Sequence, residues 1–250
     1  MNLGLEGRKA LITGSSAGIG AATARVLARE GAQVVLAARN RERLEQVAAE
    51  IRAACPNVQV WAETCDVSSS EQLAALAERH PDIDLLVNNA GEVPSGGLLE
   101  VDEARWRAGW DSKVFAYINA SRLFYGLMKA RGRGVIINLS GAGARMKRAD
   151  YLCAGMANAA IDFLTETLGA AAPADGLRVI GISPGPVGTE RYRRIAHKRI
   201  EAGEPPRRYP FGRVAEPEEI GELIAFCASD RCSYVSGAVI MIDGGISIAR

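Results

Sequence analysis

The chain has 250 residues, 48% of them hydrophobic and 24% charged, which is enough to bury a sizeable core in one domain. Thirty Lys and Arg against 29 Asp and Glu leave a net charge of +1, so no global field directs the protein to nucleic acid or to an anionic membrane.

From the N-terminus, Lys9 to Thr13 reads as a strand, Gly18 to Glu30 as a helix, Gln33 to Ala38 as a strand and Arg41 to Ala54 as a charged-faced helix. Val58 to Ala62 is predicted as a strand, Ser70 to Arg79 as a helix and Ile83 to Val87 as a strand. One long helix is expected over Val101 to Arg131, then a strand over Val135 to Leu139 and a helix from Tyr151 to Ala171. Leu177 to Ile182, Pro217 to Ala228 and Ala238 to Ile242 follow as strand, helix and strand. The strands are continuous Val/Ile/Leu runs, as expected where helices cover both faces of a sheet. Gly31, Gly134 and Gly176 precede strands, where a chain leaving a helix often needs positive φ. The predicted fold is a single-domain, Rossmann-like, doubly wound α/β structure of about seven parallel strands over residues 1–250. Residues 188–213 lack a clear βα rhythm.

The opening MNLGLEGRKALITG holds only a four-residue apolar run, so neither a signal peptide nor a membrane span is expected there. Cys55, Cys65, Cys153, Cys227 and Cys232 form no C-x-x-C pair, which suits a reducing cytoplasm, and no metal-ligand pattern is present.

Thr13-Gly14-Ser15-Ser16-Ala17-Gly18-Ile19-Gly20 closes the first strand and opens the first helix. Glycines there let a pyrophosphate approach backbone amides at a helix N-terminus. Asp66-Val67, Asn88-Asn89-Ala90-Gly91 and Ser183-Pro184-Gly185 fall at the C-terminal ends of later strands, the edge where open parallel sheets bind ligands.

With these motifs and the terminal Asp243-Gly244-Gly245, the sequence resembles the short-chain dehydrogenase/reductase family over nearly its whole length. The resemblance implies that Gly14, Gly18 and Gly20 cradle the pyrophosphate, with Ser16 and Ile19 of the same loop in the site. It implies adenine contacts from Asp66 and Val67 and places Asn88 near the adenosine ribose, with Ala90 and Gly91 of the same motif also binding the cofactor. Pro184, Gly185, Val187 and Thr189 would lie at the nicotinamide, and residues 188–213 would form a substrate lid. NAD-preferring relatives carry an Asp after the second strand, where this chain has Ala38 followed by Arg39. A guanidinium there can grip a 2′-phosphate, so NADP(H) is the expected cofactor, with NAD as the alternative.

The family's catalytic Ser, Tyr, Lys and Asn are not found in register. Asn158-Ala159-Ala160-Ile161 matches the stretch that begins with the family's lysine, which puts Ala154 at the tyrosine position. The family's serine-to-tyrosine spacing then lands on Gly141, and counting along the long helix from Trp106 puts Lys113 where Asn is expected. Tyr151 is three residues before Ala154, on the same helix face, so Tyr151 and Lys113 are read as a relocated acid–base pair. The lid holds Arg191, Arg193, Arg194, Lys198, Arg199, Arg207, Arg208 and Arg213 against Glu190, Glu201 and Glu204, a local +5 suited to an anionic substrate. The expected function is an NADP(H)-dependent oxidoreductase acting on a small molecule, as a cytoplasmic homotetramer or homodimer. An inactive NAD(P)-binding sensor or partner subunit, and non-redox elimination or isomerisation, are the competing readings.

Overall fold

A computed structural model of the chain describes residues 1–201, 203 and 208–248, without the side chains of residues 198 and 199. Its strands are β1 (Lys9–Thr13), β2 (Gln33–Ala38), β3 (Val60–Thr64), β4 (Leu85–Asn88), β5 (Gly134–Leu139), β6 (Leu177–Pro184) and β7 (Val239–Ile242). The helices between them are α1 (Gly18–Arg29), α2 (Arg41–Ala54), α3 (Ser70–Arg79), α4 (Glu103–Trp110), α5 (Ala116–Arg131), α6 (Gly143–Met146), α7 (Leu152–Ala171), α8 (Glu190–Glu201) and α9 (Pro217–Ala228). The strands form one parallel sheet in the order β3-β2-β1-β4-β5-β6-β7.

Successive residues of β1 and β2 point to opposite faces and each face has its own core. Ala10, Ile12, Val34 and Leu36 pack with α1, α2 and α9, whereas Leu11 and Val35 pack with α3 and α5. Both faces being apolar is why these strands read as unbroken hydrophobic runs. The strand order reverses between β1 and β4, so their C-terminal ends splay apart into a crevice. Every motif picked out in the sequence lies along that edge.

Several boundaries differ from expectation. The third strand starts two residues later than predicted, because Val58 still closes a turn onto the Cys55 carbonyl and pairing with β2 begins at Val60. The fourth strand is Leu85–Asn88 rather than Ile83 to Val87, since the Asp84 amide still bonds outside the ladder to the Lys9 carbonyl. The helix expected over Val101 to Arg131 begins after Asp102, whose carboxylate accepts from the Arg105 amide at 2.8 Å. It also widens into one π turn over Asp111–Phe115. Gly132 (φ +66°), not Gly134, takes the left-handed turn into β5, while Gly31 (φ +84°) and Gly176 (φ +75°) do so as expected. Within residues 188–213 the structure adds α8, an element the apolar rhythm did not announce. Among the described residues, no helix is long and apolar enough to cross a membrane.

Candidate active site

Two adjoining cavities occupy the crevice. The one over β1, β2 and β3, about 960 Å³, is lined by Gly14, Ser16, Ala38, Arg39, Asp66, Val67, Ala90 and Gly91 among others. Gly14 has φ +69°, and a Cβ there would stand 2.8 Å from Ala90 Cα, so the β1 and β4 loops meet backbone to backbone. They are bolted together by side chains. Asn89 Nδ2 donates to the Thr13 and Gly14 carbonyls at 2.8 and 3.2 Å, and Thr13 Oγ1 accepts from the Asn89 and Ala90 amides. The α1 N-cap, Ala17, is extended and offers no side-chain oxygen, so the first amides of α1 face the glycine loop without a capping partner. By contrast, Asn40 and Ser69 cap α2 and α3 with their own side chains. Ser68 donates to Asp66, which with burial opposing it holds that carboxyl below its usual range.

Asn88 and Gly20, both expected at the cofactor, also have packing roles beneath the crevice. Asn88 lines neither cavity; its side chain is 1% exposed and donates to Asn138 Oδ1 at 2.9 Å and Ser121 Oγ at 3.2 Å. It shares its strand face with Leu86 and therefore points under α5, not at the crevice. Gly20 serves the loop's own packing, since a Cβ there would sit 2.5 Å from both Asn89 Nδ2 and the Gly14 carbonyl oxygen. Gly18 faces Thr189, whose Cγ2 would stand 3.2 Å from a Cβ built there.

The second cavity, about 730 Å³, is lined by Ile19, Gly91, Pro184, Gly185, Val187 and Thr189 together with Tyr151, Lys113 and Asn158. That volume is ordinary for a small-molecule site. Lys113 rides on the π turn, where the locally widened helix carries it toward β5. Its stem crosses Gly91, where a Cβ would approach Lys113 Cβ to 2.8 Å, and its Nζ donates to the Ser140 carbonyl at 3.0 Å and to Asn158 Oδ1 at 2.7 Å. Burial, with the Arg191 charge adding to it and Asp162 opposing, pushes the Lys113 ammonium down to about 8.

Tyr151 is the N-cap of α7 rather than its first helical residue. Its ring lies over Gly143, where a Cβ would overlap it, and Asn158 Nδ2 fills the space beside Gly141. The tyrosine and lysine singled out in the sequence therefore share one cavity. Sequence reasoning placed Asn158 only as an occupant of the family's lysine position; its bond to Lys113 joins residues 45 apart in the chain and leaves no local signal. The Ser140 hydroxyl and the Asp162 carboxyl are also nearby; burial pushes that carboxyl up from its usual range, and Ser140 opposes the push.

Helix α8 is tied across the groove by its first two residues. Glu190 accepts from Arg43 of α2 at 3.1 Å, and Arg191 reaches Glu92 of the β4 loop at 3.6 Å. The tyrosines Tyr192 and Tyr209 bond hydroxyl to hydroxyl at the cavity rim. Arg213 is spent on Glu219 of α9, so not all of the counted positive charge is free to face a ligand. The side chains of Lys198 and Arg199, and residues Glu204 and Arg207, which entered that count, lie outside the described residues.

A family profile described as enoyl-(acyl carrier protein) reductase matches residues 14–247. Galactitol 2-dehydrogenase (L-tagatose-forming) of Cereibacter sphaeroides is 36% identical over 247 residues, covering 98% of this chain and 96% of that protein. The chain belongs to the short-chain dehydrogenase/reductase family. Among solved members of this family, L-sorbose reductase from Gluconobacter frateurii, complexed with NADPH and L-sorbose, superposes with a TM-score of 0.90 at 29% identity and full coverage of both chains. An NADPH-bound short-chain oxidoreductase from Pseudomonas aeruginosa PAO1, described as containing an atypical catalytic center, gives 0.87 at 28% identity, covering 97% of this chain and 98% of that one. This family member therefore shares its fold from end to end with oxidoreductases, and its sheet carries the seven strands expected.

Proposed function

We propose that this protein is an NADP(H)-dependent oxidoreductase that interconverts a carbonyl and an alcohol, using Tyr151 and Lys113 as its acid–base pair. The observation that carries the reading is the Lys113 ammonium, fixed between the Ser140 carbonyl and Asn158 in the cavity that also holds Tyr151. The residues present fit the cofactor. Uncapped α1 amides and the bare Gly14–Ala90 approach suit a diphosphate; Ser16, Asp66, Val67 and Ala90 line the first cavity, Ile19 the second, and Gly91 both. Arg39 lines the groove beyond β2 with no acidic residue at Ala38, which supports NADP(H) over NAD(H).

When bound, the nicotinamide supplies or accepts the hydride. The chain's own part is to hold a carbonyl oxygen near Tyr151 and Lys113 and to move one proton to or from it. Pro184, Gly185, Val187 and Thr189 wall that cavity, and the α8 ties to Arg43 and Glu92 draw the lid over it. Positive charge from Lys113 and Arg191 at its mouth favours an anionic substrate, such as a carboxylate or an acyl thioester carrying phosphate groups. Relatives that act on polyols and keto sugars support a carbonyl/alcohol couple, and the atypical centre of the Pseudomonas protein supports chemistry without the usual residues. Exposed Met156 and Phe163, one face of α7, support self-association as a homotetramer or homodimer, and we place the protein in the cytoplasm.

The test is anaerobic NADPH oxidation with a panel of anionic and neutral carbonyl compounds, repeated with Tyr151→Phe and Lys113→Met. Each substitution is expected to lower turnover at least about 100-fold, with the NADPH dissociation constant changing far less. Unchanged turnover in both would refute the pair. NADPH binding without reduction of any carbonyl would favour the sensor reading, which Gly141 and Ala154 at family catalytic positions already make physically coherent.

A further inference from the structure

Lys113 and Asn158 stand on neighbouring elements and touch nose to nose. A lysine ammonium has only donors, so the amide must present its oxygen, and that orientation sends Nδ2 toward Gly141. Gly141 has room for it because a Cβ there would stand 2.9 Å from Nδ2. Two of the three N–H groups of Nζ are thereby spent, on Asn158 Oδ1 and on the Ser140 carbonyl. The third remains for the cavity that both residues line.

We propose that Asn158 is a positioning residue that aims Lys113 Nζ into the cavity and sets its ammonium/amine balance, making Lys113 the group that hands over the proton. The inference rests on the oxidoreductase reading for the identity of the proton's acceptor, but the positioning role is separately measurable. In the reducing direction, the carbonyl carbon gains the hydride of the reduced nicotinamide and the carbonyl oxygen gains the proton from Nζ. The resulting amine regains a proton from solvent. The reverse direction returns hydride and proton along the same path.

The groups that face Nζ do not substitute for Asn158. Arg191 of α8 opposes its charge and Asp162 of α7 favours it, while the Tyr117 ring of α5 lies 6.0 Å away. Tyr151 and the Arg148–Asp150 ion pair share the cavity wall, and Glu92 reaches the site through Arg191. All of these stay in place when Asn158 alone is changed. An amide that accepts from the ammonium stabilises the charged form, so its loss must favour the amine, and a carboxylate in its place must favour the ammonium.

The experiment compares wild type with Asn158→Asp, nearly isosteric, and Asn158→Leu. Competitive acetic anhydride labelling of the full chain, read at Lys113 by mass spectrometry from pH 6 to 11, needs neither cofactor nor substrate. The labelling midpoint is expected to rise by about one pH unit or more in Asn158→Asp and to fall in Asn158→Leu. The pH dependence of kcat/KM for NADPH-driven carbonyl reduction is expected to move with it. A midpoint identical in wild type and Asn158→Asp, with unchanged circular dichroism and melting temperature, overturns the positioning role. A midpoint that moves while the kcat/KM profile stays fixed overturns Lys113 as the proton donor. A displaced midpoint in a protein that reduces no carbonyl supports the positioning role and overturns the oxidoreductase reading alone.

Discussion

The enclosed lysine makes a quantitative statement about stability. Lys113 falls from the ordinary lysine value of 10.5 to about 8 on folding, chiefly because burial strips water from its ammonium. Below pH 8 both folded and unfolded chains carry the charge, and the folded chain bears the whole desolvation penalty, on the order of 3 kcal/mol at about 1.4 kcal/mol per pH unit of displacement. Between pH 8 and 10.5 the folded amine is already neutral while the unfolded chain still binds a proton, so the penalty disappears as pH rises. Lys113→Met removes the titration without changing side-chain length much. Urea unfolding of wild type and Lys113→Met at matched protein concentration, from pH 6.5 to 10, isolates the effect because all other titrations cancel in the difference. Wild type is expected to gain roughly 2 to 3 kcal/mol on the Met variant between pH 7 and pH 10, with little change below pH 7. A flat difference, or one with the opposite slope, would show that the ammonium is well hydrated and that the cavity does not tune it.

Gly14→Ala would force a side chain into left-handed backbone and into Ala90; a loss of about 2 kcal/mol of stability and at least 10-fold weaker NADPH binding are expected by urea titration and calorimetry. Asn88→Ala would leave Asn138 and Ser121 short of a buried donor, lowering stability by about 2 kcal/mol, while NADPH affinity of the folded fraction stays within about twofold. Arg39→Ala should cut the NADPH-over-NADH preference in kcat/KM by at least 10-fold, leaving NADH kinetics nearly unchanged.

Much of this protein was legible because its signals are local. The glycine run after Thr13 sits where a strand must turn into a helix against a ligand edge, and the structure gives Gly14 its positive φ and close approach. Residues 188–213 were legible as a charged segment but not as α8, since the residues of that helix are polar on most faces and its ties run to Arg43 and Glu92 in other units. The inward turn of the Asn88 side chain was not legible, because a motif names residues without saying which way the pleat turns them. Its parity with Leu86 was the available clue, and it points inward. Thr13 and Asn89, which hold the two loops together, were passed over because a motif shows no hydrogen bonds.

The amino-acid sequence alone determined the parallel sheet, its order of βα units and the edge where ligands belong, because hydrophobic period and turn chemistry act over a few neighbouring residues. Only the tertiary structure decided that Lys113 meets Asn158, that a π turn carries it there and that Tyr151 lies over Gly143. The Lys113–Asn158 contact joins residues 45 apart on helices that settle against one sheet, and no local pattern encodes the distance between them.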